Sequence, residues 1–269
     1  MSDAAIHPTA IVGANARIGK GVKIGPYSIV GDNVILHDNV ELVSHAVVDG
    51  HTEVGAGSRI FPFASVGLQP QDRKYHGENS RLVIGERCTI REGATLNPGT
   101  EGGGMLTKIG DDCLIMAGAH VAHDAIIGNN VIMANYVGIA GHCQVGDNVI
   151  FGGSCVVHQF TRVGAHAFIG AHSMVDGDVI PYGMAVGNRA ILTGLNLVGL
   201  KRYKFDREAI HKLRAAYRMI FASDGTLRER VEDAAELFKG NALVQDVVAF
   251  IQAASDRPIL LPRNGPTLE

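Results

Sequence analysis

The sequence predicts a mainly β chain in two parts: a parallel β-helix of stacked coils over residues 1–190, and a small α-helical domain over residues 191–269. Three observations carry this reading. An aliphatic residue recurs at every sixth position through two long runs, glycine is abundant at 34 residues while tryptophan is absent, and beyond about Asn188 the six-residue period gives way to a helical one. A hydrophobic share of 46% against 19% charged is the balance of a folded globular protein and argues against disorder.

The first run is Ile6, Val12, Ile18, Ile24, Val30, Leu36, Leu42, Val48, Val54, Ile60 and Val66, without a miss. The register breaks at residues 68 to 82, returns at Ile84, Ile90 and Leu96, and breaks again through Gly102-Gly103-Gly104. From Ile109 it resumes one residue out of phase as Ile115, Val121, Ile127, Met133, Ile139, Val145, Phe151, Val157, Val163, Ile169 and Val175. A period of six is neither the 3.6 of a helix nor the two of a simple strand, but short strands joined by regular turns repeat in this way. Three such sides make a coil of about 18 residues, and coils stacked about 4.8 Å apart pair their backbones above and below. Each inward aliphatic then contributes about 1.5–3 kcal/mol.

Glycine often follows the aliphatic, and the fifth place is small, as in Ile18-Gly19-Lys20-Gly21-Val22. Cys88, Cys113, Cys143 and Cys155 all occupy that fifth place, which assigns them to packing. They lie far apart with no Cys-x-x-Cys, so neither a zinc knuckle nor a disulfide framework is suggested. After the coils, Asp206 is positioned as the N-cap of a helix running through Arg218. A second helix is predicted from near Thr226 to Gly240, and a third over about 242–254.

Composition narrows the partners. Met1-Ser2-Asp3-Ala4 offers no basic lead into an apolar stretch, and no run approaches the roughly 18 apolar residues of a membrane span. A cytoplasmic protein with no integral membrane association is expected. The net charge of -3 argues against general nucleic-acid binding.

Where polar residues break the repeat, chemistry is expected. Stacking puts the hexads that begin at Val121, Ile139 and Val157 on one face, which brings together His123, His142 and the His158-Gln159 pair. His120 falls three residues before His123 at the adjoining corner. Several imidazoles on one face beside two register-breaking loops look like a site. The first loop, with Gln71-Asp72-Arg73-Lys74-Tyr75, projects and closes over something. The second, Gly99 to Met105, has glycines that allow close backbone approach. His7, His37, His45, His51, His166 and His172 recur where the coil turns and are read as turn or surface residues.

The motifs Gln71-Asp72-Arg73-Lys74-Tyr75, Ala119-His120-Val121-Ala122-His123-Asp124, Ala140-Gly141-His142, Val157-His158-Gln159-Phe160 and Gly194-Leu195-Asn196-Leu197-Val198-Gly199-Leu200-Lys201-Arg202 resemble, in order and spacing, those of the UDP-N-acetylglucosamine O-acyltransferases. The resemblance runs from about His7 through the helix after Asp206. It implies a left-handed parallel β-helix and a homotrimer with sites between adjacent prisms. It also implies transfer of a 3-hydroxyacyl chain from acyl carrier protein to the glucosamine 3-position of the UDP-sugar, the first step of lipid A synthesis. By the same resemblance His123 is the general base and the Gly141 N–H meets the oxyanion. Asp72, Lys74, His120 and His142 bind the sugar and acyl head, and His158, Gln159, Asn196 and Arg202 bind the nucleotide or the carrier's phosphopantetheine. No cofactor or metal belongs to the protein itself. A basic run at the junction with the helices, Lys201, Arg202, Lys204, Arg207, Lys212, Arg214 and Arg218, suits an acidic carrier protein.

Two positions bear on specificity. Related enzymes measure acyl length at the position of Ala171, so a chain of about twelve to fourteen carbons is expected, with graded selectivity because one methylene is worth only about 1–3 kcal/mol. Asn97, in Asn97-Pro98-Gly99-Thr100, departs from the family's His-Arg-Gly-Thr. A neutral amide there would suit a 3-amino acceptor, so the 3-amino analogue of the sugar, giving an amide product, stands as an alternative. Prism-shaped carbonic anhydrases also place histidines between subunits, so His120, His123 and His142 raise zinc chemistry as a further alternative. A purely structural β-helix would instead predict an unbroken repeat.

Overall fold

A computed structural model describes residues 4–263. Short strands, mostly of two residues, stack into three faces of 11, 9 and 8 strands, parallel throughout except for the last strand of the first face. The first face starts at Ala5–Ile6, the second at Ile11–Val12 and the third at Arg17–Ile18. Consecutive strands of the chain lie on different faces, so each pairs with the strand one coil above, as Lys23 pairs with Glu41 and Ile24 with Leu42. This is the three-sided parallel β-helix that the hexads predict. The repeated aliphatics point inward and are almost wholly buried from Ile24 to Val175, with Phe151 the largest. All four cysteines are free and buried at their small-residue places.

Many of the coil turns hold the fourth hexad residue in the left-handed region, for example Tyr27 at φ 58°, Asp124 at 60°, His142 at 62° and Phe160 at 64°. Because Tyr27 and Asn148 adopt the same angle, the values at Asp124 and His142 belong to the coil and are not a distortion peculiar to a site.

Both register breaks leave the prism at one corner, between the second and third faces. One runs from Ser65–Val66 to Arg81–Ile84, and the other, one coil up, from Thr95–Leu96 to Leu106–Ile109, with a single turn of 3₁₀ helix at Glu101–Gly103. The longer third-face strands His51–Val54, Arg81–Ile84 and Leu106–Ile109 pair in register and absorb the interruption.

Above the coils, Gly183–Val186 joins the first face in parallel and Ile191–Leu195 pairs with it antiparallel. The boundary expected at 190/191 therefore falls just before a last strand of that face, and the helices begin with α1 (Leu197–Arg202), which the hexad count did not signal. Then follow α2 (Arg207–Ile220), capped by Asp206, α3 (Leu227–Leu237), with a capping box between Thr226 and Glu229, and α4 (Ala242–Gln252). The amphipathic helices bury Leu213, Ile220, Ala234, Val244 and Val247 against one another.

Polar ties dock this unit to the prism. Fully buried Asp178 accepts from Arg162 Nε at 2.7 Å, from Arg162 N at 2.8 Å and from Ser255 Oγ at 2.6 Å. Arg162 also lies 4.4 Å from the Phe250 ring centre. The chain end runs back along the coils, with Asp178 N donating to Pro258 O and Leu260 N to Asp178 O.

Candidate active site

The corner that both loops leave also carries the histidine column. His120–Val121, Gly138–Ile139 and Val156–Val157 are paired neighbours on the second face, and the turns that follow them stack. Asp124, His142 and Phe160 thus occupy one place in successive coils, and His123, Gly141 and Gln159 the place before it. The His142 ring stacks on Phe160 with centroids 4.5 Å apart and meets His123 edge-on at 5.0 Å.

The orientation of His123 has a definite cause. Its Nδ1 is 2.8 Å from Oδ2 of Asp124, whose side chain is fully buried. The carboxylate accepts only, so the bond puts the proton on Nδ1 and leaves the Nε2 lone pair for the cleft. Nε2 faces Asp72 Oδ2 of the first loop at 4.0 Å. Asp72 is itself set by Lys74 N, which donates to its Oδ1 at 3.0 Å, while Lys74 is exposed.

Gly141 lies directly against the imidazole, and a Cβ there would come within 2.6 Å of His123 Cε1. The Gly141 N–H has no acceptor among the described residues. The coil does not need it, because proline fills the same hexad place at Pro26 and Pro62. A buried amide N–H without a partner, beside a basic nitrogen, is the donor an oxyanion requires.

Burial lowers the His142 pKa, outweighing the pull of Asp124, and so favours the neutral ring beside His123. Burial likewise lowers His120, whose Nδ1 is 2.7 Å from Thr95 Oγ1. His123, Asp124 and His142 could offer three ligand atoms within 4.8 Å of one another. The Asp124 oxygens, however, already accept from Thr100 N at 2.8 Å, from Thr100 Oγ1 at 2.6 Å and from His123. That is the wiring of a histidine orienter.

The other expected site residues divide. His158 and Gln159 lie on the same corner one coil further, tied to the chain end by Arg257, whose Nη2 is 2.6 Å from His158 Nδ1 and whose Nε donates to Gln159 O at 3.0 Å. Asn196 is the N-cap of α1, its Oδ1 accepting from Gly199 N and its Nδ2 donating to His166 O, each at 2.9 Å, so both ends of its amide serve the fold. Arg202 is exposed at the end of α1. Ala171 is exposed at a different corner, between the first and second faces, so within one chain it does not share the His123 cleft. Asn97 is 5% exposed, and its Nδ2 donates to Leu68 O at 3.1 Å and Gln69 O at 3.4 Å, which anchors the root of the first loop. Its Oδ1 is buried without a partner. Thr100, Phe160 and Arg257 are not singled out by the sequence. Phe160 can be found by stacking the hexads, whereas Thr100 sits in a loop outside the repeat and Arg257 arrives by a tertiary return of the chain.

Comparison with known proteins agrees with this geometry. The family model described as Udp N-acetylglucosamine O-acyltransferase, domain 2, matches residues 178–260, and that for bacterial transferase hexapeptides matches 15–50 and 106–141. An acyl-[acyl-carrier-protein]–UDP-N-acetylglucosamine O-acyltransferase of Rhizobium etli is 51% identical over 97% of this chain and 96% of its own length. Its counterpart in Agrobacterium fabrum is 47% identical over 98% of each. The solved UDP-N-acetylglucosamine acyltransferase of Francisella novicida superposes with a TM-score of 0.93 at 36% identity, over 96% of this chain and 95% of that one. The two sequence relatives are O-acyltransferases by name and the solved structure an acyltransferase, so neither the amide-forming alternative nor the carbonic anhydrase alternative gains support. The chain belongs to the UDP-N-acetylglucosamine O-acyltransferase family.

Proposed function

We propose that this protein transfers a 3-hydroxyacyl group from the phosphopantetheine thioester of acyl carrier protein to the glucosamine 3-hydroxyl of UDP-N-acetylglucosamine, the opening reaction of lipid A synthesis. The observation that carries the mechanism is the Asp124-held His123 ring, with Nε2 free toward the loop that bears Asp72. His123 Nε2 takes the hydroxyl proton as the oxygen attacks the thioester carbon. The Gly141 N–H donates to the resulting oxyanion. The intermediate then collapses, the C–S bond breaks, and His123 returns the proton to the departing thiolate. Atoms balance without a protein-bound cofactor, since the phosphopantetheine belongs to the carrier.

Asp72, Lys74, His120, His142 and Asn97 line or support the sugar and acyl-head end. His158, Gln159 and Arg202 serve the nucleotide or pantetheine, and Asn196 acts through the position of α1. The groove lined by Lys201, Arg207, His211 and Arg214 suits the acidic carrier.

A homotrimer is supported by the outward side of the first face, which changes from Lys23, Glu41 and Arg59 in the lower coils to Leu114, Ile132, Ile150 and Phe168 in the upper ones. That half-buried apolar strip suits a second copy, which would bring Ala171 of one chain toward the acyl cleft of another. No described helix is long and apolar enough to cross a membrane, in keeping with action in the cytoplasm. The test is His123→Ala, expected to reduce turnover by about 10²–10⁴ with the far-UV spectrum and oligomeric state unchanged. A well-folded variant with less than a tenfold loss would sink the assignment.

A further inference from the structure

The Asp124 carboxylate is held by more than its histidine. Thr100 is the N-cap of the turn Glu101–Gly103, with extended angles of φ -132° and ψ 162°, yet its side chain makes no cap hydrogen bond. A threonine at that place ordinarily accepts from the turn it starts. Here the hydroxyl donates to Asp124 Oδ2 at 2.6 Å and the Thr100 N–H donates to Oδ1 at 2.8 Å, so one residue grips both carboxylate oxygens. Thr100 is 4% and Asp124 5% exposed.

The rest of the second loop closes over the same carboxylate. Gly103 and Met105 donate to Thr100 O at 3.1 and 3.0 Å, and a Cβ on Gly103 would overlap the Asp124 carboxylate. Glu101 N donates to Glu78 Oε1 at 3.1 Å, and Glu78 Oε2 accepts from His76 N at 2.8 Å. The second loop is thereby pinned to the first, which carries Asp72.

We propose that Thr100 is a positioning residue for the acyl transfer: through Asp124 it fixes the tautomer and aim of His123, with Gly103 required so that the turn can lie flat on the carboxylate. This rests on His123 acting as the base. Without the hydroxyl, Asp124 Oδ2 keeps His123 as its single donor and the Thr100 N–H alone holds the carboxylate from the loop, at Oδ1, so the ring loses alignment in the transition state more than in the ground state. The alternative is that Thr100 only satisfies a buried charge and so contributes to stability alone.

The experiment compares Thr100→Val, Thr100→Ser and Gly103→Ala with the full-length protein, using a 3-hydroxyacyl carrier protein and UDP-N-acetylglucosamine. Asp72, Lys74, His120 and His142, the other titratable groups facing the pair, are untouched. Thr100→Val should lower kcat by about 10- to 100-fold, the worth of one hydrogen bond to a charged group, with KM within about threefold. The acid limb of its kcat profile should move to higher pH, because a carboxylate with one donor fewer favours the imidazolium. Thr100→Ser should restore both values, and Gly103→Ala should reproduce the kcat loss with every hydroxyl present.

A kcat for Thr100→Val within threefold of wild type, a Ser variant no better than Val, or an unaffected Gly103→Ala overturns the positioning role. If Thr100→Val fails to fold, the Ser and Gly103→Ala results decide. His123→Ala measured alongside separates the two failures: an inactive His123→Ala with a fully active Thr100→Val removes only this inference, whereas an active His123→Ala removes the base as well.

Discussion

Replacing Asp124 by asparagine changes one oxygen to an amide nitrogen at nearly constant volume, and the structure allows its effect to be worked through. The carboxylate accepts three hydrogen bonds, from Thr100 N, Thr100 Oγ1 and His123 Nδ1, at 2.6 to 2.8 Å. In the Asp124→Asn variant the side-chain carbonyl can keep Thr100 N, but the new amide nitrogen then meets two donors. The Thr100 hydroxyl can rotate and accept. His123 can relieve its clash only by carrying its proton on Nε2, which removes the lone pair that the proposed mechanism uses to take the sugar proton. Recovering the reactive tautomer forfeits a charge-assisted bond of about 1.5–3 kcal/mol and adds an N–H to N–H repulsion. We expect kcat to fall by about 10³-fold, close to the roughly 10⁴ seen when another catalytic carboxylate that orients histidine becomes an amide. KM should change little. The assay is initial-rate ester formation over a range of both substrates, with thermal unfolding alongside. An Asp124→Asn variant that unfolds normally and keeps more than a tenth of wild-type kcat would refute the tautomer argument.

Further consequences follow from the same contacts. Gly141→Ala places a methyl 2.6 Å from His123 Cε1, so kcat should fall by at least about tenfold while the β-helix signal in circular dichroism persists, since non-glycine residues fill that hexad place elsewhere. Arg162→Ala leaves buried Asp178 without its cation and removes the packing on Phe250, so urea unfolding should show a loss of about 3–5 kcal/mol and faster amide exchange in α4; a loss below about 1 kcal/mol would contradict the docking role. Burial lowers the pKa of His120, His142 and His166. With folded values below the unfolded one of about 6.5, the native state binds fewer protons, so their contribution is whole above that pH and is lost as pH falls through the folded values. The melting temperature should therefore drop on going from about pH 7.5 to 5.5. His166→Phe, which keeps the stacking on Tyr182, should lessen the drop, and an unchanged pH dependence would count against burial as the cause.

The coil architecture was legible because the prism is nearly one-dimensional. Each hexad contacts only its neighbours above and below, so sequence spacing translates directly into spatial neighbourhood. The same property puts His123, His142 and His158 on one face from spacing alone, and makes the two interruptions recognisable as loops. Where that translation stops, sequence reasoning stopped too. Helix α1 and the strand Ile191–Leu195 lie past the last hexad, where no period indexes position. Asn196 looked like a ligand residue by motif, and its capping geometry became visible only with α1 in place.

What the sequence by itself determined is the set of faces, the corner that gathers the candidate site residues and the family, all of which depend on period and on short motifs. What only the tertiary structure decided is the wiring across that corner. Asp124, rather than a backbone carbonyl, orients His123, Thr100 grips Asp124 from the other loop, Arg257 reaches back to His158, and Ala171 stands on a corner apart from the His123 cleft of its own chain. The physical reason is that hydrogen bonds are fixed to within tenths of an ångström by direction and distance, whereas a repeat specifies only which residues share a coil.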